Sequence, residues 1–144
     1  MSTEIKPEDN QRELKGQGKR VLVVDDDPMI RDVVKAVLEG EGYQVVLAED
    51  GIKAVAVIDS EPRPVCYTLI VLDVVMPGMN GLDVMTRLKL HPHTQSIPVL
   101  MLTGEDKAED IMAGYSVGAD YYITKPFTRQ QLLYGVNLVL GGQS

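Results

Sequence analysis

Five short apolar runs punctuate the chain, at residues 21–24, 43–48, 68–72, 97–102 and 121–123. They are rich in Val, Ile and Leu and mostly lack alternation with polar residues, the pattern of strands covered on both faces in a parallel sheet. Between the runs, apolar residues return at helical spacing. Ile30, Val33, Val34 and Val37 form one stripe, after Asp27 as N-cap and Pro28 at the first helical position. Gly40 and Gly42 end that helix. Val55 and Ile58 lie between Gly51 and Pro62. Leu82, Met85 and Leu88 follow Asn80-Gly81. Ile111, Met112 and Tyr115 precede Gly118, and Leu132, Val136 and Val139 share the last face. Strands alternating with helices predict an α/β fold: five parallel strands, each followed by a helix, with right-handed crossovers.

Residues 1–19 are polar and are expected to form a mobile tail. The folded domain is expected over 20–140, with 141–144 as a short C-terminal tail. The connection at 60–66 holds two prolines and reads as a rigid surface link. Only four residues follow Leu140, so the sequence reads as a stand-alone domain or a fragment, with no output domain of its own.

In an open parallel sheet the functional crevice lies at the carboxyl ends of the strands. The first strand runs into Asp25-Asp26, the third into Asp73, the fourth into Thr103 and the fifth into Lys125. Each residue alone has an ordinary explanation. An acidic run before a helix complements the helix dipole, Asp73 suits a turn before Pro77-Gly78, Thr103 can cap a helix, and Lys125 can be plain surface. Only Asp27 of the acidic run suits the cap, so Asp25 and Asp26 are left over.

Three carboxylates in one crevice raise one another's pKa unless a positive charge intervenes. A hard divalent cation with oxygen ligands answers that need: magnesium, with manganese as a substitute. Asp26 is expected to bind it directly and Asp25 partly through water, with one oxygen from Asp73 and the main-chain carbonyl of Val75. A carboxylate can also attack phosphorus and form an aspartyl phosphate. Asp73 is the expected nucleophile, with Lys125 and Thr103 meeting the phosphoryl oxygens. This reading requires Asp73 to lie within about 10 Å of Asp25 and Asp26, close enough for one shared ion.

The stretches 21–28 (VLVVDDDP), 72–81 (LDVVMPGMNG), 97–104 (IPVLMLTG) and 118–127 (GADYYITKPF) together resemble the receiver domain of bacterial two-component response regulators. The resemblance runs from Lys19 to about Leu140. It implies a flavodoxin-like, doubly wound sheet of order 2-1-3-4-5 with five helices, and a sensor histidine kinase or phosphotransfer protein as phosphodonor. It carries the metal role onto Asp25 and Asp26, the switch hydroxyl onto Thr103, the phosphate-binding lysine onto Lys125 and the switch aromatic onto Tyr122. Gly104 leaves room for the incoming phosphohistidine. Tyr121 departs from the acidic residue usual there.

The implied switch moves Thr103 toward the phosphoryl group and admits Tyr122 inward. That would reshape a partner-binding face of the fourth helix, fifth strand and fifth helix, with Ile111, Tyr115, Tyr122, Arg129 and Gln130 on it. Such a domain is not an enzyme beyond its own phosphorylation and dephosphorylation.

Net charge refines the picture. The chain carries −7 overall, and residues 1–19 contribute four basic and four acidic groups, so the excess lies in 20–144. Without a basic patch, such a surface repels nucleic acid, and no direct nucleic-acid partner is expected. No apolar run is long enough to span a bilayer, no signal peptide is evident, and the single cysteine excludes an internal disulfide. A cytoplasmic location without membrane contact is expected. Cys66 reads as a small core residue, and His91 and His93 as loop surface.

Two competing functions remain. One is a haloacid-dehalogenase-like phosphatase, with Asp25 as nucleophile in Asp25-x-Asp27. Met29 stands where Thr or Val would be expected, and no acidic pair follows Lys125. The other is an interaction module indifferent to phosphate, in which Asp73→Asn would bind partners normally. A flavodoxin is disfavoured because acids after the first strand would repel the phosphate of FMN.

Overall fold

The computed structural model describes residues 16–63, 65–104, 112–113 and 115–141. Five strands, β1 (Arg20–Val24), β2 (Gln44–Ala48), β3 (Leu69–Asp73), β4 (Val99–Thr103) and β5 (Tyr121–Thr124), form one parallel sheet of order β2-β1-β3-β4-β5. The complete helices among the described residues are α1 (Pro28–Gly40), α2 (Gly51–Ser60), α3 (Gly81–Leu90) and α4 (Arg129–Gly141). The further helix expected between β4 and β5 is described only at 112–113 and 115–116, which are helical; Ile111 lies outside the described residues. The tails expected at 1–19 and 141–144 lie mostly outside them too.

The sheet divides the core into two layers. Leu22, Val24, Ile70, Leu72 and Met101 pack on one face, against Ala54 and Ile58 of α2 and Val84, Met85 and Leu88 of α3. Val21, Val23, Val71, Leu100 and Leu102 pack on the other, against Val34, Val37 and Leu38 of α1 and Leu132, Val136 and Val139 of α4. Side chains alternate along each strand, but both faces are covered, which is why the apolar runs are unbroken. Truncating one of these buried leucines to alanine would cost about 2–5 kcal/mol.

Helix starts follow local chemistry. Asp27 caps α1 by accepting from Met29 N at 2.9 Å, with Pro28 behind it. Asp50 caps α2 by accepting from Lys53 N at 2.8 Å. Asn80 caps α3 in a reciprocal box: its side chain accepts from Asp83 N at 3.0 Å, and Asp83 accepts from Asn80 N at 3.3 Å. A Cβ at Gly81 would run into the Asp73 carbonyl oxygen, so only glycine lets α3 start this close to the end of β3.

At the far end of the sheet, Arg20 binds both oxygens of Glu61 at 2.9 Å, and the Tyr67 hydroxyl donates to Glu61 at 3.0 Å. Burial, followed by that bond, pushes Tyr67 up to about 12. This cluster fixes both ends of the connection that the prolines suggested was rigid. Cys66 corrects the sequence reading: it is exposed, because β3 begins only at Leu69 and residues 65–67 alternate, with Val65 and Tyr67 turned inward.

Candidate functional site

The parallel register brings the strand ends to one edge. Asp25 follows β1, and its N–H donates to Ala48 O at 3.2 Å. Asp73 is the last residue of β3, opposite Leu102. Thr103 ends β4, and its carbonyl accepts from Lys125 N at 2.7 Å, which fixes the fourth and fifth strand ends relative to each other. The Lys125–Pro126 peptide is cis.

Carboxylate oxygens of Asp25, Asp26 and Asp73 lie within 4.8 Å of one another. This meets the distance requirement set by the sequence. Asp25, Asp73 and Thr103 are buried, whereas Asp26 is exposed. Asp25 Oδ1 accepts from Asp27 N at 2.9 Å. Its Oδ2 accepts no well-directed hydrogen bond and faces the Lys125 ammonium at 2.8 Å. The same ammonium lies 3.3 Å from Asp73 Oδ1. Lys125, expected beside phosphoryl oxygens, here bridges two carboxylates.

The electrostatics follow from this crowding. Burial, then the charge of Asp25, push Asp73 up to about 7, although Lys125 pulls the other way. Burial alone would lower the Lys125 ammonium; its close contact with the Asp25 carboxylate and the charges of Asp73 and Asp25 outweigh that and raise it.

The donor set suits a hard cation. It offers only oxygens, one of them a buried carboxylate oxygen without a directed hydrogen bond. Around magnesium, adjacent ligand oxygens stand about 3 Å apart and opposite ones about 4 Å. A cluster already within 4.8 Å needs only a small contraction to reach that spacing.

Of the remaining sequence candidates, Val75 is exposed beside Asp73. Tyr122 is 9% exposed and already inside the core, its ring centroid 5.3 Å from that of Tyr115. Arg129 and Gln130 are exposed at the start of α4. His91 and His93 are exposed in the loop after α3, as expected. Sequence reasoning missed Arg31, whose guanidinium donates to the Asp25 carbonyl at 2.7 Å. A lone arginine on a helix gives no sign of that bond beyond its position one turn after the cap.

Comparison with known proteins agrees with this geometry. The response regulator receiver domain family matches residues 21–137. The probable transcriptional regulatory protein TcrX of Mycobacterium tuberculosis is 40% identical over 129 residues, covering 90% of this chain and 53% of TcrX. The DNA-binding dual master transcriptional regulator RpaA of Synechocystis is 42% identical over 122 residues, covering 84% of this chain and 48% of RpaA. The chain thus spans about half the length of these curated relatives. The chemotaxis protein CheY4 of Vibrio cholerae superposes with a TM-score of 0.77 at 34% identity, covering 85% of this chain and 98% of that one.

These relatives correct one expectation. Direct nucleic-acid contact was excluded from the acidic charge, yet proteins sharing this domain are named as DNA-binding regulators. The physical reason is that surface charge constrains only the surface that bears it. The charge of an acidic receiver domain says nothing about contacts made by residues outside it. No described helix is long and apolar enough to cross a membrane. By its sheet order, its acidic strand-end cluster and the match over 117 of 144 residues, the chain belongs to the receiver domains of two-component response regulators.

Proposed function

We propose that Asp73 is the phosphoacceptor of a magnesium-dependent switch. The observation that carries the reading is the meeting of Asp25, Asp26 and Asp73 within 4.8 Å, with the Lys125 ammonium against two of them. Magnesium, or manganese in its place, would be held by these three carboxylates and the Val75 carbonyl. It would supply charge neutralisation for an in-line phosphoryl transfer.

The rest of the chemistry falls to the chain. A deprotonated Asp73 oxygen attacks phosphorus and forms the P–O bond as the P–N bond to the donor's phosphohistidine breaks. The electron pair leaves on the imidazole nitrogen, which takes up a proton. Lys125 meets one phosphoryl oxygen and the Thr103 hydroxyl another. The domain catalyses only this transfer to itself and the later hydrolysis, and is not otherwise an enzyme.

The phosphoryl group adds about −1.5 to −2 charges at one strand end. Thr103 and Tyr122 would relay this to the face of β5, α4 and the helical residues before β5, where Tyr115, Arg129 and Gln130 are exposed. A downstream protein partner that prefers one of the two states would read it. The phosphodonor would be a sensor histidine kinase or phosphotransfer protein, and the location cytoplasmic. Relatives are named as transcriptional regulators, and the same class of output is proposed here.

The test is incubation with acetyl phosphate, with and without magnesium, followed by mass mapping. One acid-stable, base-labile phosphate on Asp73 is expected, lost in chelator and in Asp26→Ala. Phosphate on Asp25 instead would indicate the phosphatase reading, and normal partner binding by Asp73→Asn a phosphate-independent module.

A further inference from the structure

The Asp25 carbonyl lies just past the end of the ladder in which Val24 pairs with Ala48 and Leu72. Its residue is fully buried, so this acceptor needs a donor. Arg31 supplies it. The Arg31 N–H donates to the Asp27 carbonyl at 3.0 Å and closes the first turn of α1, while its guanidinium donates to Asp25 O at 2.7 Å. Helical side chains lean toward the helix N-terminus, so a residue in the first turns naturally reaches back over the strand end. Arg31 makes no ion pair with a carboxylate among the described residues, so no carboxylate there competes for the guanidinium.

The consequence lies in the three-residue acidic turn. Asp25 is held at its N–H by Ala48, at its carboxylate by Asp27 N and at its carbonyl by Arg31; Asp27 is held by the helix it caps. Asp26 sits between two residues held by these bonds, which keep its exposed carboxylate at the cleft. Remove the Arg31 bond, and the Asp25–Asp26 peptide can rotate and spread the carboxylates.

We infer that Arg31 is a positioning residue for the cation site: it clamps the Asp25 carbonyl so that Asp25 and Asp26 present their oxygens together. The inference rests on the magnesium reading proposed for that site. Outer residues that orient metal ligands are typically worth 10–100-fold in affinity. Because Arg31 acts through one main-chain group, the lower end of that range applies.

Magnesium binding to the whole chain is measured calorimetrically for the parent, Arg31→Met and Arg31→Lys. Thermal melts and acetyl phosphate labelling rates over a magnesium series accompany them. Met keeps most of the volume and loses the donor; Lys keeps one donor. Arg31→Met should bind magnesium about 10-fold more weakly. Its labelling rate should recover at saturating magnesium, an effect on the magnesium requirement rather than on the maximal rate. Arg31→Lys should fall between Met and the parent. A melt lowered in Arg31→Met with magnesium affinity within about twofold of the parent would overturn the role, since a purely structural residue behaves so. Equal weakening in Lys and Met would overturn it too. A parent that binds no magnesium would instead refute the underlying reading, so the two failures are told apart.

Discussion

Replacing Asp73 by asparagine should make the magnesium-free protein more stable, and the gain should depend on pH. Asp73 rises from an ordinary 3.8 to about 7, mainly through burial and then through the charge of Asp25. A group protonated more readily in the folded state costs nothing below its unfolded pKa. The cost grows as pH rises through the folded value, because the folded protein must then give up a proton it holds more tightly than the unfolded chain does. At 1.36 kcal/mol per pH unit, the full rise corresponds to about 4 kcal/mol. The cleft is open on the side of Asp26, and solvent there screens the charges, so about 1–2 kcal/mol is the realistic gain. Asparagine keeps the shape without the charge, and Lys125 keeps Asp25 at 2.8 Å. Urea titrations of both proteins in chelator should therefore show Asp73→Asn more stable by about 1–2 kcal/mol at pH 8, with the gap closing toward pH 4. Magnesium should close the gap from the other side and then reverse it, adding about 2.7 kcal/mol to the parent at one hundred times its dissociation constant. Asp73→Asn no more stable than the parent at pH 8, or a gap that ignores pH, would refute the electrostatic account of the site.

Lys125→Met leaves Asp25 and Asp73 facing each other without the ammonium; acetyl phosphate labelling should slow about 10²-fold, as when one charge-stabilising group is lost. Tyr67→Phe removes the hydroxyl that donates to Glu61 at 3.0 Å, and denaturant unfolding should show a loss of about 1 kcal/mol. In the parent, ultraviolet titration should place one tyrosine near 12, and stability should fall as pH climbs from 10 toward that value, because the unfolded tyrosine ionises first. Asn80→Ala deletes one half of the capping box, which should cost about 1 kcal/mol in a urea titration. Gly81→Ala should cost more than Gly40→Ala by thermal melting, since only the former forces a Cβ against the Asp73 carbonyl oxygen.

Much of this molecule was legible in the sequence because its signals are local. The apolar runs marked all five strands; β3 and β4 are buried along their whole length and leave no polar interruption, whereas edge strand β2 keeps an exposed Gln44. Asp27-Pro28 marked the start of α1 because capping is decided within three residues, whereas Asn80-Gly81 read only as a turn and the structure adds the capping box with Asp83. The acidic cluster was legible as chemistry, since acids at successive strand ends need either a cation or an excuse. What stayed hidden depends on distant pieces meeting. Arg20, Glu61 and Tyr67 are 41 and 47 positions apart where they bond, and nothing in their spacing predicts it. The ion pairs of Lys125 with Asp25 and Asp73 were equally hidden, since they join residues about 100 and 52 positions apart. Cys66 was misplaced inward by counting it at the start of the buried strand, three residues before β3 begins at Leu69; the alternation Val65-Cys66-Tyr67 carried the correct answer. The expectation about nucleic acid failed for a different reason, since charge on one domain was taken as a property of any protein that contains it.

The parallel register described above also sets a rule for change over time. Asp73 and Thr103 are the last residues of strands whose every side chain is buried, and each is placed by counting along its strand. Deleting a single residue from β3 would turn Asp73 toward the opposite face and bury a different set of side chains, so no gradual route leads through it. Loops beyond the strand ends carry no such arithmetic. Descendants of this chain should therefore differ in length in their connections, while the number of residues between each strand's first ladder pair and its reactive tip stays fixed.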